Sequence, residues 1–316
     1  MMGYLLSLLA VMSMAKAPSP EADPVFLYGG NIPIEFSLLK NNTKDSENVI
    51  LRAELPVKKD ARDLGVAHTG QSAFVADVKS AGVLYAHKPH DVHSIASLTK
   101  LMTAMVALEA NDNLEEEIVF VKEDFDPTVR SELRINDNIT RDQVLSALLV
   151  GSVNEAANAL ARNSGMTREE FILRMNQKAR EMGLQSLVFT EPTGLDAGNK
   201  GNAADVAGLL TAAIRNKDIY DRMQSDLIII TTKFGRQYKI DTTNLLRTSY
   251  LNQEPYRIIG AKTGSLPAAG YCLAQVTQNA DGNQVVAVLL GSDNHFSRYQ
   301  DVKALTAWAF DAYRWE

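Results

Sequence analysis

The sequence predicts an α+β fold: an antiparallel sheet flanked by a first and a last helix, with an all-helical lobe between the strands. Three observations point there. An apolar hairpin opens the regular part of the chain near residue 73, helical patterns fill the middle, and strand patterns return from residue 227 before one closing helix. That order differs from the strand–helix alternation that builds a parallel sheet. A length of 316 residues, 46% hydrophobic and 22% charged, is enough for an ordinary globular core.

The elements follow in order. Ala73-Phe74-Val75-Ala76-Asp77-Val78, a turn over 79–82 and Val83-Leu84-Tyr85 read as a β-hairpin. Residues 95–110 are apolar on nearly every side, which predicts a helix running through the core. Further helices are predicted near 141–150, 154–164 and 167–182, the last opened by Thr167 and Glu170 in capping-box spacing. Residues 203–216 fit another helix with Asn202 as its N-cap. Strands are predicted at 227–232, 258–262 and 270–278. The turn Asn279-Ala280-Asp281-Gly282-Asn283 then leads into an apolar strand at 284–290, and a helix at 299–313 closes the chain.

The first 66 residues have a different texture. Residues 1–17 carry an apolar run too short to span a bilayer but suited to a signal peptide. Ser13 and Ala15, or Ala15 and Ala17, offer cleavage points. No Lys or Arg precedes the run, so a buried N-terminal helix is the alternative. Residues 18–66 hold Pro18, Pro20, Pro24 and an aperiodic polar stretch at 40–46, and read as an extension or tether. The catalytic domain is expected over 67–316, with no later segment long enough to be a membrane span.

A net charge of −6 without a Lys/Arg run argues against nucleic-acid binding, which needs a basic surface. The single cysteine, Cys272, cannot form an internal disulfide and reads as a packed small hydrophobe. His87, His90 and His93 lie close in sequence. Pro89 prevents a shared helical face and no Cys or carboxylate pair completes a ligand set, so no metal or cofactor is expected.

Three short motifs carry the chemistry: Ser97-Leu98-Thr99-Lys100, Ser152-Val153-Asn154 and Lys262-Thr263-Gly264. Each is weak alone, and their order, spacing and context make the set specific. Ser97 and Lys100, three apart on a helix, share a face. A serine needs a nearby base, and Lys100 can serve only if its pKa falls. Burial beside Leu101, Met102 and Met105, with Lys262 as a second cation, pushes it that way. Ser152 could relay a proton to a leaving group and the Asn154 amide could hold a substrate amide; the plainer reading makes Ser152 a helix cap. Lys262 and Thr263 end an apolar strand where they could bind a carboxylate, and Gly264 would let a substrate backbone approach. The backbone N–H groups of Ser97 and Ser265 suit an oxyanion hole.

Ser94-Ile95-Ala96-Ser97-Leu98-Thr99-Lys100-Leu101-Met102-Thr103-Ala104 resembles the nucleophile segment of low-molecular-mass penicillin-binding proteins, the serine D-Ala-D-Ala peptidases. Residues 148–157 resemble their second motif, and Gly260–Gly264 with Ala269–Leu273 their third. Glu191-Pro192-Thr193-Gly194-Leu195 and the Ala269–Leu273 stretch are most similar to the D-alanyl-D-alanine endopeptidase branch. The resemblance covers about 67–316 and implies a β-lactamase/transpeptidase-like fold. It also implies a role for Arg298 near the terminal carboxylate of the substrate, with a solvated arginine as the alternative.

The expected activity is therefore that of a serine D,D-peptidase, a carboxypeptidase or endopeptidase. It would act on peptidoglycan stem peptides through a Ser97 acyl-enzyme, with β-lactams as inhibitors. The expected location is the periplasm or cell envelope, with no stable membrane anchor. A serine β-lactamase is the rival enzyme, with Glu191 as its water-activating glutamate; Val153 replaces the Asp usual in that second motif. A non-catalytic wall-binding module would be favoured by loss of Ser97, Lys100 or Lys262, and all three are present.

Overall fold

The computed structural model describes residues 54–316. The predicted signal segment and most of the predicted extension lie outside those residues. The main sheet has five antiparallel strands in the order Arg257–Leu266, Gly270–Gln278, Gln284–Ser292, Ser72–Asp77 and Val83–His87. Both of its faces are covered, which explains why 284–290 reads as one apolar run. Val286, Val288 and Leu290 pack with Phe74 and Ala76 on one face. Val285, Ala287 and Leu289 pack with Ala73 and Val75 on the other, following the two-residue alternation of a strand.

Seven α-helices complete the described fold: α1 (Lys100–Ala110), α2 (Arg141–Val150), α3 (Asn154–Arg162), α4 (Arg168–Glu181), α5 (Ala203–Ala213), α6 (Lys217–Met223) and α7 (Ser297–Ala312). The last, α7, lies on the second sheet face through Tyr299, Val302, Leu305 and Ala309. Against the first face pack α5 and, beyond it, the lobe of α1 to α4. The predicted caps form: Thr167 Oγ1 accepts from Glu170 N at 3.2 Å while Glu170 Oε2 accepts from Thr167 N at 2.8 Å, and Asn202 Oδ1 accepts from Asp205 N at 2.7 Å.

Several features depart from the sequence reading. The helix predicted over 95–110 begins as a 3-10 turn, Ala96–Thr99, and becomes α-helical only at Lys100. The cause is upstream: Ala96 has φ 47° and Ile95 N is held by Asn199 O at 3.0 Å, which fixes the chain entry off the helix axis. A hairpin of Leu227–Thr231 and Gln237–Asp241 stands apart from the main sheet, its second strand unanticipated. Within the segment expected to be extension, Val57–Lys58 pairs with Tyr313–Arg314, so the two ends of the described chain close on each other.

Cys272 is free and fully buried, and burial pushes its thiol up to about 11. The histidines are structural neighbours: His93 Nε2 lies 2.8 Å from Ser72 Oγ, and the His87 ring meets the His68 ring edge-on at 5.0 Å. Among the described residues no helix is long and apolar enough to cross a membrane.

Candidate active site

The three motifs converge where α1, the α2–α3 corner and the strand Arg257–Leu266 meet. Ser97 sits in the 3-10 turn, whose three residues per turn stack it over Lys100. Lys100 Nζ lies 2.9 Å from Ser97 Oγ, 2.8 Å from Asn154 Oδ1 and 2.5 Å from the Thr193 carbonyl oxygen. Its three hydrogen-bonding positions are thus filled in a side chain that is fully buried. Burial pulls the amine down to about 7, against the opposing pull of the Glu191 and Glu155 charges. A lysine with that pKa and that contact can take a hydroxyl proton at neutral pH.

Ser152 occupies the corner between α2 and α3 with φ 59°, a left-handed conformation that is strained for serine. Gly151 before it makes room for the adjacent hairpin: a Cβ there would sit 2.3 Å from Ile240 Cγ2. The corner turns Ser152 Oγ toward the sheet, where Lys262 Nζ donates to it at 2.6 Å. Lys262 is 1% exposed, and burial together with the nearby Lys100 and Arg298 charges holds its amine well below the usual lysine range. Ser152 is not the cap of α3, whose N-cap residue is Val153.

A cavity of about 300 Å³ lies in front of these groups, lined by Ser97, Ser152, Thr263, Gly264, Ser265 and Arg298 from the sequence-predicted set. Lys100, Asn154 and Lys262 lie behind that wall, joined to it through Ser97 and Ser152. Gly264 is required by the protein itself: a Cβ there would lie 2.9 Å from Ile95 O and 3.1 Å from Ser97 N. The strand can approach the Ser97 turn only because residue 264 has no side chain.

Arg298 is 4% exposed and not a solvated surface arginine. Its Nη1 donates to the carbonyls of Gly264 at 2.9 Å and Cys272 at 3.4 Å, and Nη2 to Tyr299 Oη at 2.8 Å. The guanidinium also lies over the rings of Tyr299, at 4.6 Å, and Tyr271, at 5.4 Å. Its Nε is buried without a hydrogen-bond partner.

Thr242, Thr243, Leu245, His295 and Tyr299 also line the cavity and were not singled out by sequence reasoning. Thr243 Oγ1 accepts from Thr263 Oγ1 at 2.7 Å, and the Thr243 carbonyl from Tyr299 Oη at 2.7 Å. His295 stands edge-on to Tyr271 and Tyr299 at 5.7 and 5.5 Å, and burial lowers its pKa. His295 and Tyr299 flank Arg298 in sequence, which was the one signal available for them.

Known proteins are similar to this chain in sequence and fold. A family model described as D-alanyl-D-alanine carboxypeptidase matches residues 57–294. The chain is 31% identical over 242 residues to a D-alanyl-D-alanine endopeptidase of Escherichia coli, covering 75% of this chain and 76% of that one. Identity to a D-alanyl-D-alanine endopeptidase of Haemophilus influenzae is 33% over 223 residues, 69% of this chain and 74% of the relative. Among solved structures, the Streptomyces K15 DD-transpeptidase superposes with a TM-score of 0.72 at 27% identity, covering 78% of this chain and 99% of that one. Since the family match spans most of the described residues, the chain belongs to the D-alanyl-D-alanine carboxypeptidase family.

Proposed function

We propose that the protein is a serine D,D-peptidase in which Ser97 is the nucleophile and Lys100 its general base. The carrying observation is the 2.9 Å contact between Lys100 Nζ and Ser97 Oγ, made by an amine that burial holds near neutrality. Ser97 Oγ attacks the carbonyl carbon of a D-alanine residue and passes its proton to Lys100. The backbone N–H groups of Ser97 and Ser265 receive the oxyanion. The C–N bond breaks as the leaving amine takes a proton by way of Ser152, which Lys262 contacts at 2.6 Å. Asn154 Oδ1 holds Lys100 in place, and Thr263, Gly264 and Arg298 border the place for the carboxylate beside the scissile bond. Water then releases the acyl group.

Stem peptides of peptidoglycan are the substrate class this reading implies, and β-lactams, which present an acylating carbonyl next to a carboxylate, are its inhibitors. Such a substrate places the enzyme in the periplasm or cell envelope. Relatives named endopeptidases are 31% and 33% identical, against 27% for a Bacillus subtilis relative named a carboxypeptidase, which supports cleavage of cross-links. The β-lactamase reading is disfavoured because both Glu191 oxygens are engaged by the loop that carries them. Incubation with purified cross-linked and monomeric pentapeptide muropeptides tests the proposal. Wild type converts dimers to monomers and Ser97→Ala does not; wild type inert on both substrates would overturn it.

A further inference from the structure

The loop over residues 190–199 touches the chain on both sides of Ser97. Pro192 O accepts from Thr103 Oγ1 at 2.6 Å, Thr193 O from Lys100 Nζ at 2.5 Å, and Asn199 O from Ile95 N at 3.0 Å. Gly194, at φ +82°, lies so close that a Cβ there would be 2.1 Å from Ala96 O. One side chain organises this loop. The Glu191 carboxylate accepts from Thr193 N and Thr193 Oγ1 at 2.6 Å each, from Gly194 N at 2.5 Å, from Asp196 N at 3.4 Å and from Asn199 Nδ2. Every partner is a donor, as an ionised acceptor requires.

We propose that Glu191 is a positioning residue: by folding this loop around itself it presents the Thr193 carbonyl to Lys100 and seats Gly194 against the Ala96–Ser97 peptide. The inference rests on the peptidase reading above. Glu191 also acts at a distance. The charges acting on Lys100 are those of Glu191 from the loop and Glu155 from α3, and Lys262 on the strand is the neighbouring amine that Lys100 in turn influences. Both carboxylates favour the protonated amine. Removing the Glu191 charge therefore lets Lys100 lose its proton at lower pH.

The test is the pH profile of Ser97 acylation by benzylpenicillin in the full-length protein, wild type beside Glu191→Gln and Glu191→Asp. Wild-type acylation at Ser97, read by intact mass, verifies the underlying reading independently; its absence would sink that reading instead. Glu191→Gln places an amide donor among donors, so its plateau rate falls about tenfold or more. Its acid limb moves down by about one pH unit. Glu191→Asp keeps the charge and shortens the reach, so the plateau falls while the limb stays. Should Glu191→Gln not fold, Glu191→Asp alone decides, since an unchanged plateau overturns the proposal. Wild-type acylation with only slowed deacylation in Glu191→Gln would also overturn it, making Glu191 the base for the hydrolytic water.

Discussion

Replacing Gly194 by alanine adds one methyl group at a backbone with φ +82°, its Cβ 2.1 Å from Ala96 O, 2.4 Å from Ala96 C and 2.9 Å from Ser97 N. Two effects can be separated. The left-handed backbone alone costs an alanine about 1 kcal/mol. An ordinary contact needs roughly 3.5 Å, so the Ala96–Ser97 peptide must also retreat by about 1 Å. A displacement of that size at a reacting group costs about 100-fold in rate. Gly235, at φ +82°, and Gly282, at φ +84°, are matched controls, because a Cβ at either meets nothing within 4 Å. Gly235→Ala and Gly282→Ala should melt about 2–4 °C lower, the shift expected from ~1 kcal/mol in a domain of this size, and Gly194→Ala should melt lower still, because overpacking adds about 1–3 kcal/mol. Only Gly194→Ala should acylate slowly with benzylpenicillin. If it acylates at the rate of the two controls, the packing of this loop does not position Ser97.

Further outcomes follow from the same geometry. Acylation should fall as pH drops through about 7, because Lys100 must shed its proton to act as a base; a limb near the ordinary lysine value would contradict the assignment. Unfolded Lys100 keeps its proton to 10.5 while the folded one releases it near 7. The unfolded state thus binds more protons in that window, and stability rises with pH by about 1.4 kcal/mol per pH unit from this residue. Urea unfolding of Lys100→Met should lack that increment. Ser152→Gly relieves a left-handed serine at φ 59° and removes the hydroxyl that accepts from Lys262. The ~1 kcal/mol of relieved strain is offset by the acceptor that buried Lys262 loses, about 1–3 kcal/mol, so the variant should melt no higher and acylate more slowly; acylation at the wild-type rate would remove the Ser152 hydroxyl from the mechanism. Arg298→Met leaves the Gly264 and Cys272 carbonyls without their donor. It should cost about 1–3 kcal/mol of stability. It should also raise KM for peptides with a free terminal carboxylate more than for their amides, which steady-state kinetics would read.

The motifs were legible because they are local: Ser97 and Lys100 are three apart on one turn, and Lys262 to Gly264 end one strand. The helix-flanked sheet was legible because strand patterns on either side of a helical middle, with one closing helix, exclude strand–helix alternation. The missing parts depend on distant partners. Val57–Lys58 is a two-residue strand with no period of its own, defined only by Tyr313–Arg314. Gln237–Asp241 buries Ile240 and leaves three of its five residues exposed, too weak an alternation to recognise. Helix α6, at seven residues, is shorter than the window in which helical periodicity can be seen. Glu191 was noticed as part of a family segment, but its partners Thr193, Gly194 and Asn199 are assembled by a turn that only the folded loop makes. Thr243 sits in a polar run of Asp, Thr and Asn that carries no pattern.

The central claim, an acyl-enzyme on Ser97 formed with Lys100 as base, is tested most directly by an intact-mass time course with benzylpenicillin. Wild type should gain one lasting penicilloyl adduct that maps to Ser97, and Ser97→Ala, with the same fold by circular dichroism, should gain none. An adduct on Ser97→Ala, or wild type that gains no adduct and leaves the drug intact, would contradict it.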